Sequence, residues 1–251
     1  IATVIPILAA PLLGRIYTPA EYAPLGVYIG ISTLLVSIGN WQYAQGIVIE
    51  SKDNAAYSLL YLCLITSGIS TIVAFPVAVC NVVFIDDSAS LNGCGPWFLL
   101  LPLSTFIGGC TGALLALANR KSAYGHIANS RMLAALLTVG ASIGLGLLGF
   151  SSHGLLTAAL LGQFVPFLTL LVYYWRLTDR PKRFPSKLRL FAMIRKHRGF
   201  AVYSLPSGFV ASLTAQLPIF ALGLVDASRM IGLFSRARQL VGMPFSLLGG
   251  S

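Results

Sequence analysis

Three arginines are the first candidates for chemistry, because each lies at the edge of an uncharged apolar stretch or within one. Arg15 closes the apolar run 1–14, and Arg236 and Arg238 lie four and six residues beyond Gly232, where another apolar run begins. Arginine in a membrane-spanning helix usually faces water or the protein interior. Its planar guanidinium suits phosphate or carboxylate. Two interpretations stay open for each arginine: a ligand for an anion in a cavity, or a side chain that reaches the lipid headgroups.

A second set of candidates lies in the apolar stretch 199–225. Ser204 and Ser212 fall with other small residues in one sector of a helix that turns by about 100° per residue, and Gln216 stands near its far end. Small residues on one face allow close helix packing, whereas hydroxyl and amide groups there can also line a hydrated cavity. The pattern is compatible with both interpretations, so these three polar residues join the arginines as candidates for substrate binding.

Catalytic and metal-binding patterns are missing from the sequence. The histidines lie in or beside predicted loops with no carboxylate near them in sequence, and the cysteines lack metal-ligand spacing. The motifs HExxH and GxSxG and a glycine-rich phosphate loop do not occur. No Asp or Glu falls inside an apolar stretch, so ion coupling through a membrane carboxylate has no candidate. We expect a protein that is not an enzyme and needs no cofactor or metal.

The composition indicates that these residues belong to a membrane protein. Hydrophobic residues make up 56% of the 251 positions, and charged residues only 10%, against about 25% in an ordinary soluble domain. This composition excludes a disordered chain, a coiled coil and a conventional soluble enzyme.

Uncharged stretches define the predicted spans, since about 20 apolar residues cross a bilayer. A division of the stretch 132–175 at the turn-like segment 151–154 gives two spans there. The full set is 1–14, 23–49, 57–85, about 97–119, two spans within 132–175, 199–225, and a span from 232 onward. The prediction is an all-α polytopic membrane helix bundle. Because the chain opens and closes inside apolar runs, we also expect it to be a piece of a longer protein.

Basic residues predict the orientation of the bundle. Thirteen of the 17 Lys and Arg residues lie in loops after even-numbered spans, most of them in the segment 176–198. By the positive-inside rule these loops and the N-terminus are cytoplasmic. The net charge of +10 is then a rim that meets anionic lipid headgroups, and nucleic acid is not an expected partner. Residues 186–197 can form a helix at the membrane interface.

Two local patterns predict structure rather than chemistry. Thr18 and Glu21 have the spacing of a capping box at the start of a short helix. Glycines four residues apart predict two close helix contacts, one in the stretch 108–112 and one in 140–144.

Several segments together resemble a known family. They are 11–28 (PLLGRIYTPAEYAPLGVY), 41–56, 119–124 with Arg131, 203–207 (YSLPS), and 232–244. In order and spacing they are similar to bacterial polysaccharide (O-antigen) flippases of the multidrug/oligosaccharidyl-lipid/polysaccharide exporter superfamily.

This resemblance implies two six-helix lobes around a central cavity. Residues 1–175 would be the N-terminal lobe, 176–198 a basic cytoplasmic linker, and 199–251 the start of the second lobe. The implied function is to flip undecaprenyl-pyrophosphate-linked oligosaccharide, an O-antigen or exopolysaccharide repeat unit, across the bacterial inner membrane by alternating access. Implied partners are this lipid-linked substrate, membrane lipids and proteins of polysaccharide assembly. Alternatives are a multidrug or cation antiporter of the same superfamily, a membrane enzyme of polysaccharide assembly, and a scaffold protein.

Overall fold

The fold is a bundle of α-helices, seen in a computed structural model that describes residues 4–85, 95–177, 185–224 and 229–238. Within these ranges no residue forms a strand. The helices are α1 (Val4–Ile16), α2 (Tyr22–Gly39), α3 (Ala44–Ile49), α4 (Asp53–Ile85), α5 (Leu101–Arg120), α6 (Tyr124–Leu147), α7 (Ser151–Arg176), α8 (Lys187–Lys196), α9 (Leu205–Leu224) and α10 (229–238). Short 3₁₀ helices, Pro19–Glu21 and Gly95–Leu100, precede α2 and α5, and a π-helical turn, Phe200–Ser204, precedes α9.

Six helical stretches are long and apolar enough to cross a membrane. They are Pro19–Gly39, Asp53–Cys80, Gly95–Arg120, Tyr124–Leu147, Ser151–Arg176 and Phe200–Gly223, and α1 is a shorter apolar helix. The predicted class, an all-α polytopic membrane bundle, is confirmed.

The second predicted span is wrong at its C-terminal end. A single helix does not continue through residues 23–49, because α2 stops at Gly39 and α3 begins at Ala44. Between them Trp41 and Gln42 adopt positive φ angles of 50° and 61°, which a right-handed helix cannot accommodate. The side chain of Asn40 holds this turn by accepting a hydrogen bond from the backbone N–H of Gln42 at 3.1 Å.

Two predicted loops are shorter than the sequence suggested. Arg131 does not lie in a loop, because α6 already begins at Tyr124 after a turn in which Ser122 has a φ of 54°. Between α6 and α7 the turn occupies 148–150, with Gly149 at a φ of 83°, so residues 151–154 are helical. Spans predicted from uncharged stretches do not show where these turns lie.

Glycines bring α2, α4 and α5 into close contact. A Cβ on Gly109 of α5 would overlap Ser67 of α4 and would lie 3.3 Å from the carbonyl carbon of Gly39 in α2. Gly108 lies against Val36 of α2 in the same way, so the predicted contact at 108–112 exists. The buried hydroxyls of Tyr28 and Ser104 hydrogen-bond across the same α2–α5 interface.

The second predicted glycine contact is wrong. A Cβ on Gly140 or Gly144 would meet no described atom within 4 Å. Helix α6 instead packs through other residues, since the Tyr17 hydroxyl donates a 2.7 Å hydrogen bond to the carbonyl of Ser142 and Gly146 lies against the Tyr17 ring. These contacts hold the end of α1 against α6.

One end of the bundle, here called the basic end, is held together by ion pairs. Arg120 at the end of α5 pairs with Asp53 at the start of α4 at 2.8 Å, and Lys121 reaches the other oxygen of Asp53 at 2.9 Å. The Arg120 guanidinium also donates to backbone carbonyls at the end of α3, including that of Glu50. These carbonyls lack helical partners, so Arg120 caps α3 while it connects α4 and α5.

Glu50 connects this end of the bundle to the segment that leads into α9. Its carboxylate is 6% exposed and accepts hydrogen bonds from the Lys196 ammonium at 2.7 and 2.8 Å. The His197 ring lies 3.0 Å from the same carboxylate and stacks on Phe200. The hydrogen bond from Lys196 holds the pKa of Glu50 below its ordinary value, although burial acts in the opposite direction.

We predict that Gly109→Val destabilises the protein and that Gly140→Val does not. Valine at position 109 must push apart α4 and α2 at once, and overpacking of this kind costs about 1–3 kcal/mol. Position 140 has open space for the same side chain. Melting temperatures in detergent measure the difference, and equal losses from both variants would contradict the packing described here.

We also predict that Glu50→Gln lowers stability by about 1–3 kcal/mol at neutral pH, because it leaves a charged partner without its carboxylate. The exposed Lys52→Gln is the matched control and should change stability little. Because the folded-state pKa of Glu50 is lowered, its contribution is present above the unfolded value of about 4.3 and is lost as the pH falls through the lower folded value. Melting curves of wild type should therefore fall more steeply with acid than those of Glu50→Gln, and parallel curves would contradict this assignment.

Candidate functional site

A cavity of about 740 Å³ opens between α1, α2, α6, α7, α9 and α10. Most of its lining is apolar or small. Its polar side chains are Tyr22, Thr33, Thr138, Ser142, Gln216, Ser235, Arg236 and Arg238. Among the described lining residues, both charged side chains are therefore arginines, and the cavity is electropositive.

Arg236 is held in a slot between α1 and α2. Its Nη2 atom donates a 2.7 Å hydrogen bond to the carbonyl of Ala10, and its guanidinium carbon lies 5.1 Å from the centre of the Tyr22 ring. A Cβ on Gly14 would overlap this guanidinium, so the guanidinium occupies the space that a side chain at residue 14 would take. The ring face and the carbonyl both attract the cation, yet neither carries a full negative charge.

Two further glycines and an apolar anchor dock α10 beside α1 and α2. A Cβ on Gly232 would overlap the carbonyl of Pro19, and a Cβ on Gly26 would overlap the hydroxyl of Ser235. Ile231 is fully buried in a cluster with Ala23 of α2 and Ile219 of α9. The helix that carries both arginines therefore touches the backbone of its neighbours, which fixes where the arginines enter the cavity.

Arg238 has a single described partner, Gln216 of α9. Its Nη1 atom donates a 2.8 Å hydrogen bond to the Gln216 side-chain oxygen. Gln216 is 4% exposed, whereas Arg238 is exposed. The amide aims Arg238 but does not neutralise it, so the guanidinium keeps further N–H donors for a ligand.

Three hydroxyls on the cavity wall can act as hydrogen-bond acceptors. Thr33, Thr138 and Ser142 each donate to the backbone carbonyl four residues earlier, at 2.7–2.8 Å. Their oxygen lone pairs are left for a ligand that donates, such as a hydroxyl group. The wall thus combines cationic donors on α10 with neutral acceptors on α2 and α6.

The structure brings three of the six sequence candidates together. Arg236, Arg238 and Gln216 line the cavity. The other candidates are not among its lining residues: Arg15 is exposed in the last turn of α1, Ser204 is half-buried in the π-helical turn, and Ser212 is half-buried in α9.

Sequence reasoning did not find several residues that shape the site. Gly14 and the carbonyl of Ala10 form the slot for Arg236, and their role depends on a helix more than 200 positions away. Tyr22 lies inside the segment 11–28 that resembles the family, but nothing in its sequence position predicts a contact with Arg236. Thr138 and Ser142 lie in an uncharged stretch in which nothing marks the cavity-facing side.

A family model described as polysaccharide biosynthesis protein matches residues 12–251. The chain belongs to this family. No curated protein matches the chain, and no solved structure matches it either. The matched residues include every helix from α2 onward. These helices form most of the wall of the electropositive cavity.

The cavity of this family member can bind a ligand that carries an anionic group next to hydroxyl groups. Two guanidinium groups supply charge-assisted hydrogen bonds, which are stronger than those between neutral groups. Within the described ranges, no three His, Cys, Asp or Glu side chains come close enough together to hold a metal ion.

We predict that Gly14→Ala does not stabilise the protein, although alanine is the better helix former by about 1 kcal/mol. The new methyl group displaces the Arg236 guanidinium and removes its hydrogen bond to Ala10, which should cost about 1–2 kcal/mol. Gly140→Ala, where space is open, should have no such cost.

A double-mutant cycle isolates this interaction. In an Arg236→Ala background Gly14→Ala should cost nothing or become stabilising, as measured by melting temperature in detergent. A penalty of the same size in both backgrounds would mean that residue 14 meets something other than the guanidinium.

Proposed function

We propose that this protein flips a lipid-linked oligosaccharide, joined to its lipid through pyrophosphate, across the membrane by alternating access. The observation that carries the proposal is the pair of arginines in a cavity of about 740 Å³ among membrane-spanning helices. Membership of the polysaccharide biosynthesis family supports a saccharide-bearing cargo. In this proposal the protein transports its substrate and does not transform it.

The pyrophosphate is the part of the substrate that Arg236 and Arg238 recognise. Each arginine is held by a neutral oxygen, the Ala10 carbonyl or the Gln216 amide. An oxyanion forms a stronger, charge-assisted bond than either of these acceptors. A pyrophosphate entering the cavity can therefore displace them, and the exchange favours binding without leaving a guanidinium unpaired.

This exchange also gives a reason for the helices to move. Arg236 connects α10 to α1 through Ala10 and to α2 through Tyr22. When its guanidinium turns to the substrate, those contacts are lost, and α10 is less firmly held. A ligand shifts a conformational equilibrium only through such differential contacts. Rocking of α9 and α10 against α1 and α2 about the cavity is the form of alternating access that these contacts suggest.

The cavity wall also offers hydrogen-bond partners for the sugars. The hydroxyl oxygens of Thr33, Thr138 and Ser142 can accept hydrogen bonds from sugar hydroxyls. The positive-inside pattern orients the basic end to the cytoplasm, where the substrate would be loaded in a bacterial inner membrane.

A cation antiporter is less compatible with the described lining, because two arginines repel cationic cargo.

We predict that the arginines cannot be replaced without loss of transport. In the full-length protein, Arg236→Ala and Arg238→Ala should each reduce surface polysaccharide at least tenfold in a flippase-null strain. The lysine variants should be intermediate, because lysine keeps the charge but loses the planar fork. Arg176→Ala is the matched control, since Arg176 is an exposed arginine at the end of α7 and outside the cavity lining.

Protein levels by immunoblot and melting temperatures separate binding from folding in this experiment. Undecaprenyl pyrophosphate should raise the melting temperature of the wild type and not that of the Arg236→Ala/Arg238→Ala variant. Full polysaccharide from that double variant would overturn the role of these arginines. A full-length wild type that never restores polysaccharide, in strains covering several repeat units, would overturn the flippase proposal itself.

A further inference from the structure

Helix α8 lies at the basic end of the bundle and is fixed there on one side only. Lys196 and His197 bind the buried Glu50 carboxylate between α3 and α4. Met193 and Leu190, one and two turns earlier on the same side, pack against the cluster formed by α3, α4, α5 and α7. Ser186 caps the start of the helix, because its hydroxyl accepts a hydrogen bond from the Arg189 N–H. These contacts set the position and the rotation of α8.

The opposite side of α8 is uncovered and apolar at its centre. Leu188 is 84% exposed and Phe191 67% exposed, although both are large hydrophobic residues. No residue of α8 is buried. An isolated exposed leucine needs no explanation, but these two residues are adjacent on one helix face, one turn apart.

Basic residues surround this apolar pair. Lys187 and Arg195 lie on the same side of the helix as this pair, and Arg198 follows α8. All three are exposed, and among the described residues none of them makes an ion pair. No Asp or Glu occurs in residues 185–198. The free face of α8 is thus a strongly cationic surface with two apolar side chains at its centre.

The position of α8 decides what meets this surface. Helix α8 packs against α4, and Glu50 precedes α4 by three residues, at the point where a membrane-spanning helix begins. A helix fixed at that level lies at the depth of the lipid headgroups. An interfacial helix of this kind buries its apolar residues at the boundary between headgroups and acyl chains, and its arginines and lysines bind anionic headgroups.

We propose that the free face of α8, centred on Leu188 and Phe191, is a docking surface for anionic phospholipids. The two apolar side chains enter the acyl boundary, and three unpaired basic residues, Lys187, Arg195 and Arg198, bind lipid phosphates around them. Lys196 takes no part, because Glu50 already holds it. Since residues 197–204 lead directly into α9, the lipid contact also restrains the end of a helix that lines the cavity. The proposal does not depend on what the cavity transports.

The experiment uses the full-length protein with its native cysteines replaced and an environment-sensitive fluorophore attached at Phe191→Cys. It is reconstituted in nanodiscs of phosphatidylcholine alone or with about 30% phosphatidylglycerol. The emission should shift to shorter wavelength when the anionic lipid is present. Brominated phosphatidylglycerol should quench it more than brominated phosphatidylcholine at the same fraction.

Charge variants test the role of the basic residues. Arg195→Gln/Arg198→Gln should raise the phosphatidylglycerol fraction needed for half of the shift by about fivefold or more, since two basic residues are lost. Lys52→Gln/Arg131→Gln removes the same charge from two other exposed residues of the chain and should leave the fraction unchanged. Equal melting temperatures show that both variants fold.

Three outcomes would overturn the proposal. One is a fluorophore that stays in water at every lipid composition. Another is equal quenching by both brominated lipids, which would mean that the helix enters the membrane without recognising charge. The third is a shift that occurs only when cytosolic protein is added, which would assign the surface to a protein partner.

Discussion

A charge that is removed from water must find a partner, and this constraint governs how the bundle is built. The chain has few charged residues, and in the described part those that are wholly or partly removed from water have partners. The Glu50 carboxylate lies between Lys196 and His197 at the basic end, and Arg236 lies between a carbonyl and an aromatic ring at the cavity. In each case the partner belongs to a distant part of the chain. The same pairs that satisfy charge therefore also fix the tertiary structure.

The pairs at the basic end and the pairs in the cavity differ in strength, and each kind suits a different task. At the basic end, cations meet carboxylates, as in the Arg120–Asp53 pair at 2.8 Å. In the cavity, the described partners of the two arginines are neutral oxygens and a ring. A guanidinium with a weak partner is the one that an incoming anion can recruit. The basic end is thus suited to hold the helices together, and the cavity is suited to exchange its contacts.

After the pairing of charges, the second requirement of the bundle is close approach between helices, and glycine makes that approach possible. Packing between membrane helices gains nothing from excluding lipid, so contact depends on fit. Gly109 lets α5 touch α2 and α4, and Gly14 gives the Arg236 side chain its slot. Other glycines, such as Gly140 and Gly144, face open space. Glycine spacing alone does not separate the two groups, because the neighbour decides whether the missing side chain matters.

The sequence by itself determined the class of the protein and the approximate position of its spans. Composition and uncharged stretches are local properties, and a bilayer imposes helix length directly. Composition and uncharged stretches could not reveal the break between α2 and α3, since hydropathy does not depend on the positive φ angles of Trp41 and Gln42. The arginines were visible as candidates because a charge in an apolar stretch is rare.

Only the tertiary structure decided which candidates share a site. Gln216, Arg236 and Arg238 meet in the cavity, whereas Arg15, Ser204 and Ser212 do not line it. The tertiary structure also places His197 beside Glu50, 147 positions away. In the sequence, no carboxylate lies near any histidine. The physical reason is the same in both cases. Partners of buried polar groups are set by which helix faces meet, and helix rotation depends on packing that a single stretch of sequence does not contain.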